Sequence, residues 1–228
     1  MRFKDVFSII GPSMVGPSSS HTAGAVRIGR AARRIFGAFP EEVEIVFYGS
    51  FADTYRGHGT DLAVVGGLMD FATDDIRIRN SITLAEEAGM KLTFKTAQNA
   101  AFHPNTVLLK LKDENGREDI IVGASIGGGN VEILGVNGFD VKFTMNYPVL
   151  MVFHQDTHGM VAHITKILHD GGVNIGYMDV DRKGRGREAV TVVETDEAVP
   201  RLLMEHIRNL EHVHRVVFAD LSAEEGAE

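Results

Sequence analysis

Apolar positions change their period along the chain, and the changes mark its elements. Over 22–36 they recur every three to four residues, which predicts an amphipathic helix stopped by Gly37 as a left-handed C-cap. The stretch 43–48 alternates between Pro40 and Gly49 and predicts a strand. Gly57-His58-Gly59-Thr60-Asp61 opens a second helix over 62–72, and 81–88 predicts a short third one ended by Gly89. From there the period falls to two. The segments 90–96, 105–112, 118–126 and 131–143 predict strands, with Glu114-Asn115-Gly116 and Val136-Asn137-Gly138 as hairpin turns.

Pro148 marks a linker, after which the pattern restarts as a compact β-α-β-β-α-β unit. Its expected elements are strand 149–154, helix 160–169, strands 173–181 and 188–194, helix 197–210 and strand 213–219. The fold class is therefore α+β. A mixed α/β domain with a largely antiparallel sheet spans 1–146, and a smaller ferredoxin-like βαββαβ domain spans 148–221. The tail 222–228 is small and acidic and is expected to fray.

Composition narrows the function classes. With 44% apolar and 24% charged residues the chain reads as an ordinary soluble globular protein, and no apolar run reaches membrane-span length. Residues 1–10 are too short and too charged for a signal peptide, so the expected compartment is the cytoplasm, without membrane attachment. A formal charge of −8 argues against a nucleic-acid surface, which needs clustered cations. The chain has no cysteine, which excludes disulfides, cysteine nucleophiles and thiolate metal sites within it. An iron–sulfur cluster would need another polypeptide to hold it.

Three clusters carry candidate chemistry. The first is GPSSSHTAG at 16–24, where Ser19 or Ser20 is a natural N-cap. The helix start offers main-chain N–H groups to a carboxylate or phosphate, and His21 adds a proton carrier. Ordinary capping by a serine-rich loop is the competing explanation. The second is YGSFADTYRGHGTD at 48–61, with His58 between glycines that let a ligand approach the backbone. The third, His103-Pro104-Asn105-Thr106, opens a strand. Together these histidines could build one pocket for a small polar anion, with one ring as general base. Other chemistries fit poorly. His154, His158, His163 and His169 lie across a strand-to-helix loop without a thiolate or an H-E-x-x-H pattern, so no metal is expected there. Gly127-Gly128-Gly129 lacks nucleotide-binding spacing, and no lysine has a pyridoxal-phosphate context.

GPSSSHTAG, GSFADTYRGHGTD, the HPN at 103–105 and the following GGGNVEI, in this order, resemble the beta chain of bacterial two-subunit, iron–sulfur-dependent L-serine dehydratases. The C-terminal unit resembles the ACT domain such chains carry. The resemblance implies conversion of L-serine to pyruvate and ammonia, as in amino-acid degradation feeding gluconeogenesis. It also implies a [4Fe-4S] cluster ligated by the alpha subunit, whose open iron binds the substrate as a Lewis acid. By motif position it implies His58 as base for the Cα proton, with His21 as the alternative, and His21 and His103 as orienting groups. Ser18, Ser19, Ser20 and Thr22 would receive the carboxylate, with Thr60, Asp61 and Asn105 completing the substrate site, and Asp61 would hold a histidine tautomer.

In the ACT unit the resemblance implies an amino-acid site from Asp156 and Gly159 facing Asn174 and Ile175, or dimerisation through side-by-side sheets without a ligand. The implied partners are an alpha subunit and a second copy of the ACT domain. A similar N-terminal module occurs without chemistry in some phosphoglycerate dehydrogenases, so a serine-sensing regulatory subunit is the rival. A dehydratase acting on threonine or another β-hydroxy amino acid is also compatible.

Overall fold

The structure is a computed structural model, and it describes residues 13–100 and 102–222. The expectations for residues 1–10 and for the tail beyond 222 lie outside the described residues. Contacts divide the chain into two compact units, Met1–Asn137 and Gly138–Glu228.

In the first unit a single π-helical turn, Ser19–Ala23, runs into helix α1, Gly24–Phe36. Strand β1 (Glu42–Tyr48), helices α2 (Gly49–Thr54) and α3 (Thr60–Leu68), a 3₁₀ turn (Ile76–Asn80) and helix α4 (Ser81–Glu87) follow. Strands β2 (Lys91–Ala97), β3 (Thr106–Lys112), β4 (Glu118–Gly127) and β5 (Asn130–Val136) complete the unit. The strand order is β2-β1-β3-β4-β5. β1 and β2 are parallel, and the other neighbours are antiparallel. Alternation places Ile45, Phe47, Leu109, Leu111, Ile121 and Ile133 in the core. The exposed face carries ion pairs such as Glu44 with Lys110 at 2.7 Å.

Helices α1 and α3 cross with almost no side chain between them. A Cβ at Gly67 would fall 2.1 Å from the Val26 carbonyl oxygen and 2.8 Å from the Gly29 Cα. One at Gly29 would fall 2.2 Å from the Val64 carbonyl oxygen. Ile28 in turn packs on the sheet at Gly123, where a Cβ would sit 2.8 Å from Ile28 Cγ2.

Several elements differ from the periodicity. The first helix has a π turn before it, and Ser18 caps that turn, in place of Ser19 or Ser20. The second helix ends at Leu68 rather than 72, because Asp70 turns left-handed (φ 62°) and its carboxylate meets Arg34 of α1 at 2.8 Å. Helix α2 was unanticipated: six residues with Phe51 as the one buried side chain give no readable period. The strand expected over 131–143 stops at Val136. Asn137, at φ 53°, accepts from the Ile120 N–H and donates to Asp119, both at 2.7 Å.

The second unit comprises a two-residue strand β6 (Phe143–Thr144), β7 (Val149–Gln155), helix α5 (Met160–Asp170), β8 (Ile175–Arg182), β9 (Glu188–Thr195), helix α6 (Arg201–Arg208) and β10 (Val213–Ala219). Its sheet order is β10-β7-β9-β8, antiparallel throughout. This is the βαββαβ plan. Helix α6 begins only after Pro200, whose extended backbone (ψ 139°) precludes the earlier start at 197. Leu150, Val152, Ile164, Leu168, Val193 and Ile207 form the core under the helices. The opposite sheet face is strapped. Main-chain N–H groups of Asp140, Lys142 and Thr144 donate to Asp181 (2.8 Å), Asp179 (3.3 Å) and Glu194 (2.8 Å), while Phe139 packs on Phe153.

Gly67→Ala is expected to cost about 1–3 kcal/mol by overpacking the α1–α3 crossing. The measurement is the urea unfolding midpoint at unchanged m-value. A midpoint within error of the parent would mean that the helices separate without cost.

Candidate active site

The π turn, α2 and the loop before α3 bring parts of the first two clusters together. The main chain of the third joins them. Ser18 sits in extended backbone before the π turn, and its Oγ accepts the His21 main-chain N–H at 3.3 Å. The turn holds one residue more than an α turn, so Gly24 N–H reaches back to the Ser19 carbonyl. Ser19 and Ser20 lie within this first turn, half-buried, where main-chain N–H groups precede the helical hydrogen bonds.

His21 stands at the centre. Its Nδ1 lies 3.4 Å from Ser18 Oγ and its Nε2 3.1 Å from Ser50 Oγ. The ring packs edge-on against Phe51 (centroids 5.3 Å) and against His58 (5.0 Å, 73° between planes). Burial lowers the His21 pKa below the ordinary imidazole value, and the neighbouring His58 lowers it further. His21 is therefore a neutral imidazole near pH 7. His58 is exposed. Its main-chain N–H bonds to the Thr54 carbonyl at 3.0 Å, and Gly59 at φ 67° turns the chain into α3.

The third cluster joins through its main chain. Gly49, at φ 53°, lies so close to Pro104 that a Cβ would fall 2.6 Å from the Pro104 carbonyl oxygen. That carbonyl accepts the Phe51 N–H at 3.3 Å. The His103 ring is exposed and faces its own loop, with Nδ1 accepting the Asn105 N–H at 3.2 Å. Among the described residues it makes no ring contact with His21 or His58. The Asn105 carbonyl accepts the Ser125 N–H at 3.0 Å, linking this loop to β4.

Asp61 accepts the Leu62 N–H at 2.9 Å, and burial pushes its pKa up. The groups meeting the His21 nitrogens are the Ser18 and Ser50 hydroxyls, so Asp61 makes no tautomer-holding contact with that ring. Thr22, Thr60 and Ser125 are buried, and their hydroxyl oxygens lack a hydrogen-bond partner among the described residues. Ser50 and Ser125 escaped the sequence reading. Ser50 lies inside the second motif, where nothing local distinguishes its hydroxyl from those of its neighbours. Ser125 had one signal, a polar residue on the buried parity of β4, and it packs where a Cβ on Gly24 would fall 2.1 Å from its Oγ.

In the second unit the four expected ligand residues lie at two ends of the sheet. Asp156 accepts from Gly186 N–H and Arg182 Nη1, each at 3.0 Å, and these contacts hold its carboxyl below the usual range. Gly159, at φ 86°, begins α5. Asn174 donates to Asp196 at 2.6 Å, and Ile175 pairs with Thr195. Gln155, just before Asp156, pairs with Glu188 at the other end of β9. Seven residues of strand separate the pairs, about 23 Å at 3.3 Å per residue. Asn174 and Ile175 instead line a shallow groove of about 590 Å³ against Lys166 and His169 of α5.

This chemistry can be set beside known proteins. Residues 3–91 match the family described as serine dehydratase beta chain, and residues 148–212 match the ACT domain. The chain is 44% identical over 95% of its length to the probable L-serine dehydratase beta chain of Bacillus subtilis, covering 98% of that protein. It is 36% identical over 90% of its length to the L-serine dehydratase beta chain of Peptoniphilus asaccharolyticus, covering 93% of that one. It is also 25% identical to D-3-phosphoglycerate dehydrogenase of Bacillus subtilis, over 79% of this chain and 34% of that enzyme. The fold and the site thus define a serine dehydratase beta-chain module followed by an ACT domain. The chain belongs to the L-serine dehydratase beta-chain family.

Replacing His58 by Gln removes the neighbouring charge, so the His21 pKa is expected to rise while staying below the ordinary imidazole value, because burial remains. NMR titration of the ring checks this. Since a lowered pKa means that the unfolded chain binds the proton more tightly, the His21 contribution to stability is intact above the ordinary imidazole pKa. It is lost as pH falls through the folded value.

Proposed function

We propose that this chain is the beta subunit of a cytoplasmic L-serine dehydratase, an ammonia-lyase that forms pyruvate and ammonia together with an alpha subunit. The observation that carries the reading is the His21–His58 ring pair beside the Ser18–Ala23 turn, in a chain of this family. Its module boundaries would be 1–146 and 148–221.

The donor set does not fit an iron–sulfur cluster. The chain has no cysteine, and among the described residues no group of three or more His, Asp or Glu could hold a metal. The [4Fe-4S] cluster would belong to the alpha subunit. This chain's share is to bind the amino acid and move its proton. The substrate carboxylate lies against the first turn at Ser18, Ser19, Ser20 and Thr22, where N–H groups and the helix dipole favour an anion. Thr60, Asp61 and Asn105 would complete its lining.

His58 is the base. It is exposed and free of the hydroxyl contacts that occupy both His21 nitrogens, so a ring nitrogen can reach the substrate. It takes the Cα proton and returns it to the departing β-hydroxyl, which leaves as water. The resulting 2-aminoacrylate hydrolyses to pyruvate and ammonia. His21 orients His58 edge-on, and His103 holds the HPN loop. The ACT unit supplies a homodimer contact, and its four candidate ligand residues would need a second copy to meet across one interface.

The test is anaerobic pyruvate formation from L-serine by this chain alone, the alpha subunit alone, and the mixture. Activity in the mixture only is expected, and His58→Ala should then lower kcat by about 10²–10⁴-fold. Full activity of the alpha subunit alone would make this chain a serine-sensing regulator, the reading its likeness to a phosphoglycerate dehydrogenase favours.

A further inference from the structure

The two hydroxyl contacts of His21 admit two directions, and Ser18 favours one of them. Ser18 Oγ accepts the His21 main-chain N–H, and giving its own proton to His21 Nδ1 at 3.4 Å uses donor and acceptor alike, whereas accepting from Nδ1–H as well would leave that proton without a partner among the described residues. A neutral ring that accepts at Nδ1 carries its proton on Nε2. Nε2–H then donates to Ser50 Oγ at 3.1 Å. Among the described residues that oxygen has no other partner, so its hydroxyl proton ends the series.

The position of Ser50 is fixed independently of the ring. Thr54 Oγ1 donates to the Ser50 carbonyl at 2.6 Å, and the glycine contact with Pro104 anchors the preceding residue. Ser50 is thus a built support that His21 meets. The edge-on contact between His21 and His58 depends on the plane this support imposes.

We propose that Ser50 is a positioning residue of the site: by accepting from Nε2–H it completes, with Ser18, the hold on His21 as the neutral Nε2–H tautomer, sets the ring plane against His58, and keeps one hydroxyl proton for the substrate carboxylate. The substrate part rests on the dehydratase reading, and the tautomer part does not.

Two variants and two readouts test it. In the ¹⁵N-labelled full chain, long-range ¹H–¹⁵N spectra should show His21 protonated at Nε2 and unprotonated at Nδ1. Ser50→Ala should average the two nitrogens, and Ser50→Thr, which keeps the hydroxyl, should restore the parent pattern. His154 serves as the fold control. Its Nδ1 lies 2.9 Å from the Gln155 carbonyl oxygen, so it carries the opposite tautomer and should not change in either variant. In the complex with the alpha subunit, Ser50→Ala should lower kcat about tenfold and displace the acid limb of the kcat–pH profile. Ser50→Thr should recover most of the loss.

An Nδ1–H tautomer in the parent chain overturns the proposal. So does a Ser50→Ala variant with unchanged tautomer or kcat, or a Ser50→Thr variant as impaired as Ser50→Ala. A locked tautomer that Ser50→Ala releases, in a parent complex that forms no pyruvate, would sink the dehydratase reading and leave Ser50 as the support of His21.

Discussion

Helices α1 and α3 meet backbone to backbone at Gly29 and Gly67, where any Cβ would enter the carbonyl or Cα of the facing helix. Both helices start beside the histidine pair. Gly29 lies eight residues after His21 and Gly67 nine after His58, roughly 12–14 Å at the helical rise. Close packing at the crossing therefore carries through to the helix starts, where the rings stand 5.0 Å apart. Asp70 reinforces the far end by pairing with Arg34, and Ser125 fills the space that Gly24 leaves open under the near end. Side chains larger than hydrogen at these glycines would spread the helices and the rings with them.

The same geometry gives two histidines two characters. His21 is held against Phe51 with a serine hydroxyl at each nitrogen, and burial keeps it neutral. His58 is exposed at the rim on a glycine-flanked loop. A neutral, fixed ring beside an accessible one is an arrangement suited to proton transfer, because the fixed ring costs no reorganisation while the other reacts. The buried hydroxyls of Thr22, Thr60 and Ser125 have no hydrogen-bond partner among the described residues.

The second unit uses its sheet on both faces. Helices α5 and α6 bury one, and the segment before β7 crosses the other, held by three acidic side chains that accept from alternate main-chain N–H groups. Residues 139–143, expected as the end of the first domain's last strand, are thus part of the second unit's packing. Asp156 is committed to the β8–β9 hairpin, a role its place in a loop motif did not foretell.

Local rules were enough for the βαββαβ order, the helix stop at Gly37, the antiparallel strands after residue 100 and the three polar clusters. Each is written in neighbouring residues, through periodicity, glycine backbone freedom or capping chemistry. The sequence also carried the family, because its motifs are contiguous strings. Tertiary structure alone decided that β2 runs parallel to β1, that α2 exists, and that the HPN loop joins the site through the Pro104 carbonyl rather than through the His103 ring. It alone chose Ser18 and Ser50 as the partners of His21. Those contacts span 3 and 29 residues of chain, and only the shorter one leaves a mark in local sequence. The longer is set by where the Gly49–Pro104 contact and the Thr54 hydroxyl hold α2 beside the first turn, a property of three-dimensional distance that no one-dimensional pattern records.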